Sequence, residues 1–311
     1  MMTPTVLVVV DPSAASRAAH AAAQLAALIA AAVAGRVVLV PLAAPMLPAP
    51  GLDPELPDYY QQQLTEALAM ADLARQLPGT VEVAARVEDL DHGLADLLHR
   101  WYPLLLVLGL APEHHLLDQL LLHQALPVLR DAGLPLLLVP DGSPVRLPEL
   151  VAVAADGEEF HLAAAAQSLQ PLLHSWHAAY CIVHVAETPA DEATMTRATD
   201  TVYHGGLLPG LAHFPTHRVC QQPRRAGLVQ AARDVQADLL VLPTRSRRLV
   251  ESLFTSGVAA YVIRHSPVPV LLLPTTAAPV RSASPVYPAG LASRKLGPSG
   301  AGKRRPLPPG V

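Results

Sequence analysis

The chain has 311 residues, 51% of them hydrophobic but only 4% aromatic, so its core has to be built from Leu, Val and Ala, and the length favours two domains of ordinary size over one. The formal net charge is −4; the segment after Thr275 carries Arg281, Arg294, Lys295, Lys303, Arg304 and Arg305 and no acid, which leaves −10 for the remainder and argues against nucleic acid as a partner. Both lysines fall in that last segment, so the rest of the chain has no P-loop lysine, no Schiff-base lysine and no kinase-type lysine.

Residues 6–10 read as a buried strand. Asp11, Pro12 and Ser13 then open a helix to about Ala34, with Asp11 or Ser13 as its cap and Pro12 in its first turn. This Ala-rich stretch follows a strand, lacks a basic n-region and contains His20 and Gln24, so it reads as an amphipathic helix and not as a signal segment. A strand over 37–40, a proline-rich loop over 41–57 and a helix over 58–77 follow. Then come a strand over 80–86, a helix over 93–101, a strand over 104–108, a loop over 109–114, a helix over 116–131 and a strand over 134–139.

Residues 141–146 read as a linker, after which the pattern restarts. Strands are expected over 150–154, 179–185 and 214–221, with helices over 158–175, 191–203 and 227–236. The apolar run 239–242 is a further buried strand, stopped by Pro243 and a loop rich in hydroxyls and arginine. A helix carrying Leu249, Leu253, Val258, Tyr261 and Val262 leads to Ser266-Pro267 and a last strand over 268–273. Gly109 and Pro243, and likewise Pro135 and Pro269, lie 134 positions apart; Asp11 and Asp156 lie 145 apart. The near-constant offset marks a duplication, with about 11 extra residues in the first copy attributed to the loop at 41–57. The expected fold class is α/β: two doubly wound parallel-sheet, Rossmann-like domains in tandem, over 1–142 and 143–275, with a disordered basic tail over 276–311.

The second copy's closing stretch, from Asp238 through the Val258-Ala-Ala-Tyr-Val helix to Arg264-His-Ser-Pro-Val-Pro-Val270, resembles the C-terminal half of the universal stress protein (UspA) family. The resemblance covers about residues 5–140 and 149–274. It implies an ATP- or AMP-type site beyond the C-terminal ends of the first and fourth strands. An aspartate stands near the ribose or adenine, a second-strand position faces the adenine, and a glycine loop holds the phosphates. In the second copy those positions fall on Asp156, Val185, Pro243, Ser246, Ser256 and Gly257, with Thr244 as a further donor; the loop glycines are replaced at Pro243, Ser246 and Ser256. In the first copy they fall on Asp11 with Ser13 and on Gly109, but Pro112, Leu122 and His123 stand where the loop requires Gly, Gly and Ser, so this site reads as degenerate.

No nucleophile–base pair, HExxH or CxxC occurs, and His174 and His177, three apart, lack companion ligands, so neither an enzyme nor a metal site is expected. Cys181 and Cys220 read as reduced thiols of a cytoplasmic protein. No apolar run approaches the ~18 residues of a membrane span. The resemblance implies pairing through the last strand of each domain, so residues 134–139 and 268–273 are expected to join the copies as an internal pseudo-dimer. The function expected is a stress-responsive, non-catalytic interaction module with an unidentified protein partner and scope for homo-oligomers. The alternative is a switch that binds adenine nucleotide in the second domain.

Overall fold

Continuous apolar runs make strands buried on both faces, and such a run forms the central strand of each half. The computed structural model describes residues 3–11, 17–42, 56–87, 90–111, 132–186, 192–207, 215–220, 223–245 and 257–277. In the first half β1 (Thr5–Val10) leads to α1 (Arg17–Ala32), β2 (Arg36–Pro41), α2 (Leu56–Gln76), β3 (Thr80–Val83), α3 (Leu90–Trp101), β4 (Leu105–Leu110) and β5 (Leu136–Pro140). The second half starts again with β6 (Leu150–Ala154), β7 (Phe160–Leu162) and two short helices, α4 (Ala164–Gln167) and α5 (Gln170–Ser175). It continues with β8 (Ala179–Ala186), α6 (Glu192–His204), β9 (Thr216–Cys220), α7 (Arg224–Asp234), β10 (Leu239–Arg245), α8 (Val258–His265) and β11 (Val270–Ala277).

Among the described residues, eleven strands join one sheet in the order β3-β2-β1-β4-β5-β11-β10-β6-β8-β9, with β7 added on β11. Within each half the main strands run parallel, and the first strand lies between the second and the fourth. That reversal of winding direction is where a doubly wound sheet opens a crevice. The halves meet through β5 and β11, which pair antiparallel as Leu138 with Val270, Leu137 with Leu271 and Leu136 with Leu272. Leu137 and Leu271 are themselves 134 positions apart, so equivalent residues face each other across a pseudo-two-fold axis, the isologous geometry of a symmetric dimer built into one chain. One core face runs across both halves, with Leu25, Ile29 and Leu137 of the first packed in the same cluster as Trp176, Leu239 and Leu271 of the second. The other face is shared in the same way by Leu106, Leu138, Leu240 and Leu272.

Four expectations need correction. Residues 158–175 do not form one helix: Phe160–Leu162 is a strand whose burial alternates in, out, in, and it pairs antiparallel with Thr275, Thr276 and Ala277. Only α4 and α5 are helical, the second with Pro171 in its first turn. The same pairing carries β11 through Ala277, so the sheet takes in Thr276 and Ala277, which the sequence assigns to the tail. Gly109 and Leu110 belong to β4 and not to a loop. Pro243 does not stop β10, which runs on to Arg245 opposite Pro274 and Thr275. The Leu240 N–H is donated to Pro269 O, so alternation turns the Pro243 nitrogen away from β11 and towards β6, where the β10–β6 pairing stops at Val241 and Val153, and the β10–β11 ladder is kept. The expected loop and helix at 112–131, most of the proline-rich loop and the remainder of the tail lie outside the described residues.

Candidate functional site

The site-forming end of the second half follows from where its parallel strands stop. β6 ends at Ala154, and the chain turns through Asp156 and Gly157. Gly157 takes φ +80, which a side chain tolerates poorly, and Asp156 Oδ1 accepts the Glu158 N–H at 3.0 Å, closing an Asx turn. β8 presents His184 and Val185 next to this turn, and β10 presents Leu242, Pro243 and Thr244. Together they border a cavity of about 250 Å³.

Its two sides differ. Val185, Leu242, Leu228 of α7 and Ala259 of α8 belong to one core face and give an apolar slot. Val185 is pressed there by α7, since a Cβ on Gly227 would lie 2.8 Å from its methyl groups. On the other side stand His184, Phe160 of β7, Thr275 of β11 and the Asp156 turn. Arg224, the exposed first residue of α7, and the exposed Glu158 add one charge of each sign to the rim. Thr244 is buried, and its hydroxyl is 3.4 Å from Leu273 O. α8 begins beside the slot, with Val258 and Ala259 in its lining, and Gly257 at its N-cap makes no side-chain cap bond. The first amides of that helix have no intrahelical acceptor, and Gly257 has no side chain to offer them one.

Of the residues singled out by sequence, Asp156, Val185, Pro243 and Thr244 come together in this cavity, and Gly257 stands next to it. Ser246 and Ser256 lie outside the described residues. In the first half Asp11 directly follows β1, and Ser13, Pro112, Leu122 and His123 lie outside the described residues. Gly109 has a packing role in the structure. A Cβ there would sit 2.5 Å from the Ala18 carbonyl carbon and oxygen, so its missing side chain lets the start of α1 rest on β4.

The sequence reading missed His184, Phe160, Arg224 and Thr275. His184 left a signal, being the one imidazole inside the otherwise apolar stretch from Cys181 to Ala186 of β8. Phe160 and Thr275 left none, because their meeting depends on β7 being a strand. Among the described residues no cluster of three or more His, Cys, Asp or Glu could hold a metal ion, and no helix is long and apolar enough to cross a membrane. His174 Nδ1 lies 2.7 Å from Gln170 O of its own helix, whereas His177 falls beyond that helix with φ +51. Burial pushes the Cys181 thiol up from its ordinary range.

The model of the universal stress protein family matches residues 2–140 and again residues 149–274. Among solved structures the chain is similar to a universal stress protein from Archaeoglobus fulgidus DSM 4304, at 17% identity over 87% of this chain and 96% of that one, with a TM-score of 0.61. It is also similar to a functionally unknown protein from Pseudomonas aeruginosa PAO1, at 16% identity over 88% and 92% of the two chains, with a TM-score of 0.51. The cytoplasmic domain of a prokaryotic cation chloride cotransporter matches at 12% identity over 88% and 95%, with a TM-score of 0.50. At these identities the likeness is one of fold. No curated protein matches the chain significantly.

Proposed function

The chain belongs to the universal stress protein family, with two copies of its domain in tandem, and on that footing we propose that it is a non-catalytic interaction module governed by adenine nucleotide held in the second half. One observation carries this reading. Four residues chosen from sequence for nucleotide contact, Asp156, Val185, Pro243 and Thr244, line one cavity at the point where the strand order reverses. The apolar slot of Val185, Leu228, Leu242 and Ala259 suits a flat base, and the Asp156 carboxylate suits a ribose hydroxyl. At about 250 Å³ the cavity suits a nucleoside better than a whole triphosphate. The phosphates would leave it towards the first turn of α8, whose amides and dipole favour an anion. The first half would serve as the scaffold, joined through β5 and β11. The free thiols of Cys181 and Cys220 support action in a reducing compartment such as the cytoplasm.

Calorimetric titration with ATP and AMP, with thermal melting in parallel, tests the reading. Binding is expected, and at a ligand concentration 100 times Kd it should stabilise the fold by about 2.7 kcal/mol. Ala259→Phe, which fills the slot, should remove both the heat and the stabilisation while the unliganded melt stays cooperative. No heat from either nucleotide at millimolar concentration would sink the nucleotide part and leave a module that recognises proteins alone.

A further inference from the structure

Strand β8 is apolar from Cys181 to Ala186 except at His184, whose residue is only 2% exposed. Its Nδ1 lies 2.7 Å from Ala155 O. A carbonyl oxygen only accepts, so Nδ1 carries the hydrogen and donates it. The neutral ring is thereby fixed as the tautomer whose Nε2 bears a lone pair. That Nε2 is buried and has no hydrogen-bond partner among the described residues, and His184 lines the cavity. An unmatched acceptor at such a depth is costly unless something in the cavity donates to it.

The fold itself does not demand a histidine here. In the first half β1 and β2 pair from Thr5 with Arg36 to Val10 with Pro41. In the second, β6 and β8 pair from Leu150 with Ala179 to Ala154 with Val183. Carried one residue further, the second register sets His184 where the first half has Pro41, a side chain with no polar atom. The two copies thus share a backbone at this point and differ in whether the cleft is offered an acceptor.

We infer that His184 Nε2 is the specificity-determining acceptor of the second-half cleft, taking a hydrogen bond from an N–H or O–H of the bound ligand. This rests on the adenine reading and adds to it what the cleft reads. His184 and Asp156 offer acceptors on the side away from the apolar slot, and Glu158 adds another at the rim. They select a ligand that couples a flat apolar body to donors, as an aminopurine nucleoside does through its exocyclic amine or its ribose hydroxyls. The Ala155 carbonyl is part of the device, because it keeps the ring from presenting N–H to the ligand.

The test is calorimetric titration of the full chain, wild type and His184→Asn, with adenosine, 2′-deoxyadenosine, 3′-deoxyadenosine and purine riboside. Asparagine keeps an N–H within reach of Ala155 O and has no atom at the Nε2 position. One of the three donor deletions should weaken wild-type binding by about five- to tenfold and alter His184→Asn binding by less than about twofold. If every deletion has the same effect in both proteins, the inference is overturned and the adenine reading stands. If adenosine itself gives no heat at millimolar concentration, the adenine reading falls and takes the inference with it. Should His184→Asn melt early, nitrogen-15 spectra of the wild type decide. Adenosine moves the His184 Nε2 resonance if that atom accepts, and an unmoved resonance in a saturated complex overturns the assignment.

Discussion

Gly109 and Pro243 occupy the same place in the two halves. Each sits near the end of the fourth strand of its copy, and each pairs with the equivalent residue of the fifth, Val139 and Leu273. What lies over them differs. In the first half α1 runs unbroken from Arg17 to Ala32 and buries an alanine face of Ala18, Ala19, Ala22, Ala23, Ala26 and Ala27, so its first turn comes down onto Gly109. In the second half the chain spends those residues on β7 and two short helices, and the space beside Pro243 remains as a cavity. Two copies of one fold thus divide the work. One uses a glycine for close helix–sheet packing, and the other keeps the crevice that the shared topology provides.

The strongest way to test the shared part is at the pseudo-two-fold axis. Leu137→Ala and Leu271→Ala each delete a fully buried side chain on the same core face. Each should cost about 3 kcal/mol in urea denaturation, and the two costs should be nearly equal because the sites are equivalent. The double variant should lose less than the sum, since the residues pair with one another. Strongly unequal single costs would mean that the halves are not energetically symmetric at their junction.

The next test targets the difference. Gly109→Ala puts a methyl group into the Ala18 backbone and should destabilise by about 2 kcal/mol through overpacking. Pro243→Ala faces the cavity, and its cost should stay below about 1 kcal/mol, chiefly from the looser unfolded chain. Equal losses at the two positions would remove the contrast on which the division of work is built.

Much of this architecture is legible in the residues. The runs 6–10, 150–154 and 239–242 are too apolar to be anything but buried strands, and the 134-residue offset recurs in the paired registers. The candidate pocket was readable as far as it depends on local position after a strand, as for Asp156, Val185, Pro243 and Thr244. What stayed hidden is non-local. Phe160-His-Leu162 has the composition of a helix as much as of a strand, and only the extended end of β11, beyond 100 residues away, makes it a strand. Phe160 and Thr275 therefore reach the cavity through a pairing that periodicity does not reveal. Gly109 is ambiguous for a related reason. A glycine at a strand end reads equally as room for a phosphate and as room for a helix, and only the packed structure reveals the contact with Ala18.

The smallest effect separates the halves by pH. Tyr180, in the second half at the start of β8, is buried and donates its hydroxyl to Leu173 O at 2.8 Å. Burial raises its pKa well above the ordinary value of 10.0, so the folded chain holds a proton that the unfolded chain releases. The stability this contributes is complete below pH 10 and is lost as pH rises beyond it. Cys181, also buried and raised from 9.0, acts in the same direction from a slightly lower pH. Tyr180→Phe should therefore be less stable than wild type by about 1 kcal/mol at neutral pH, because the Leu173 carbonyl loses its donor. Above pH 10 the gap should close and then reverse, because phenylalanine has no proton to lose. Urea midpoints measured from pH 7 to pH 11 would show the crossing. A gap that stays constant over that range would mean that the Tyr180 hydroxyl titrates in the folded chain as it does in the unfolded one.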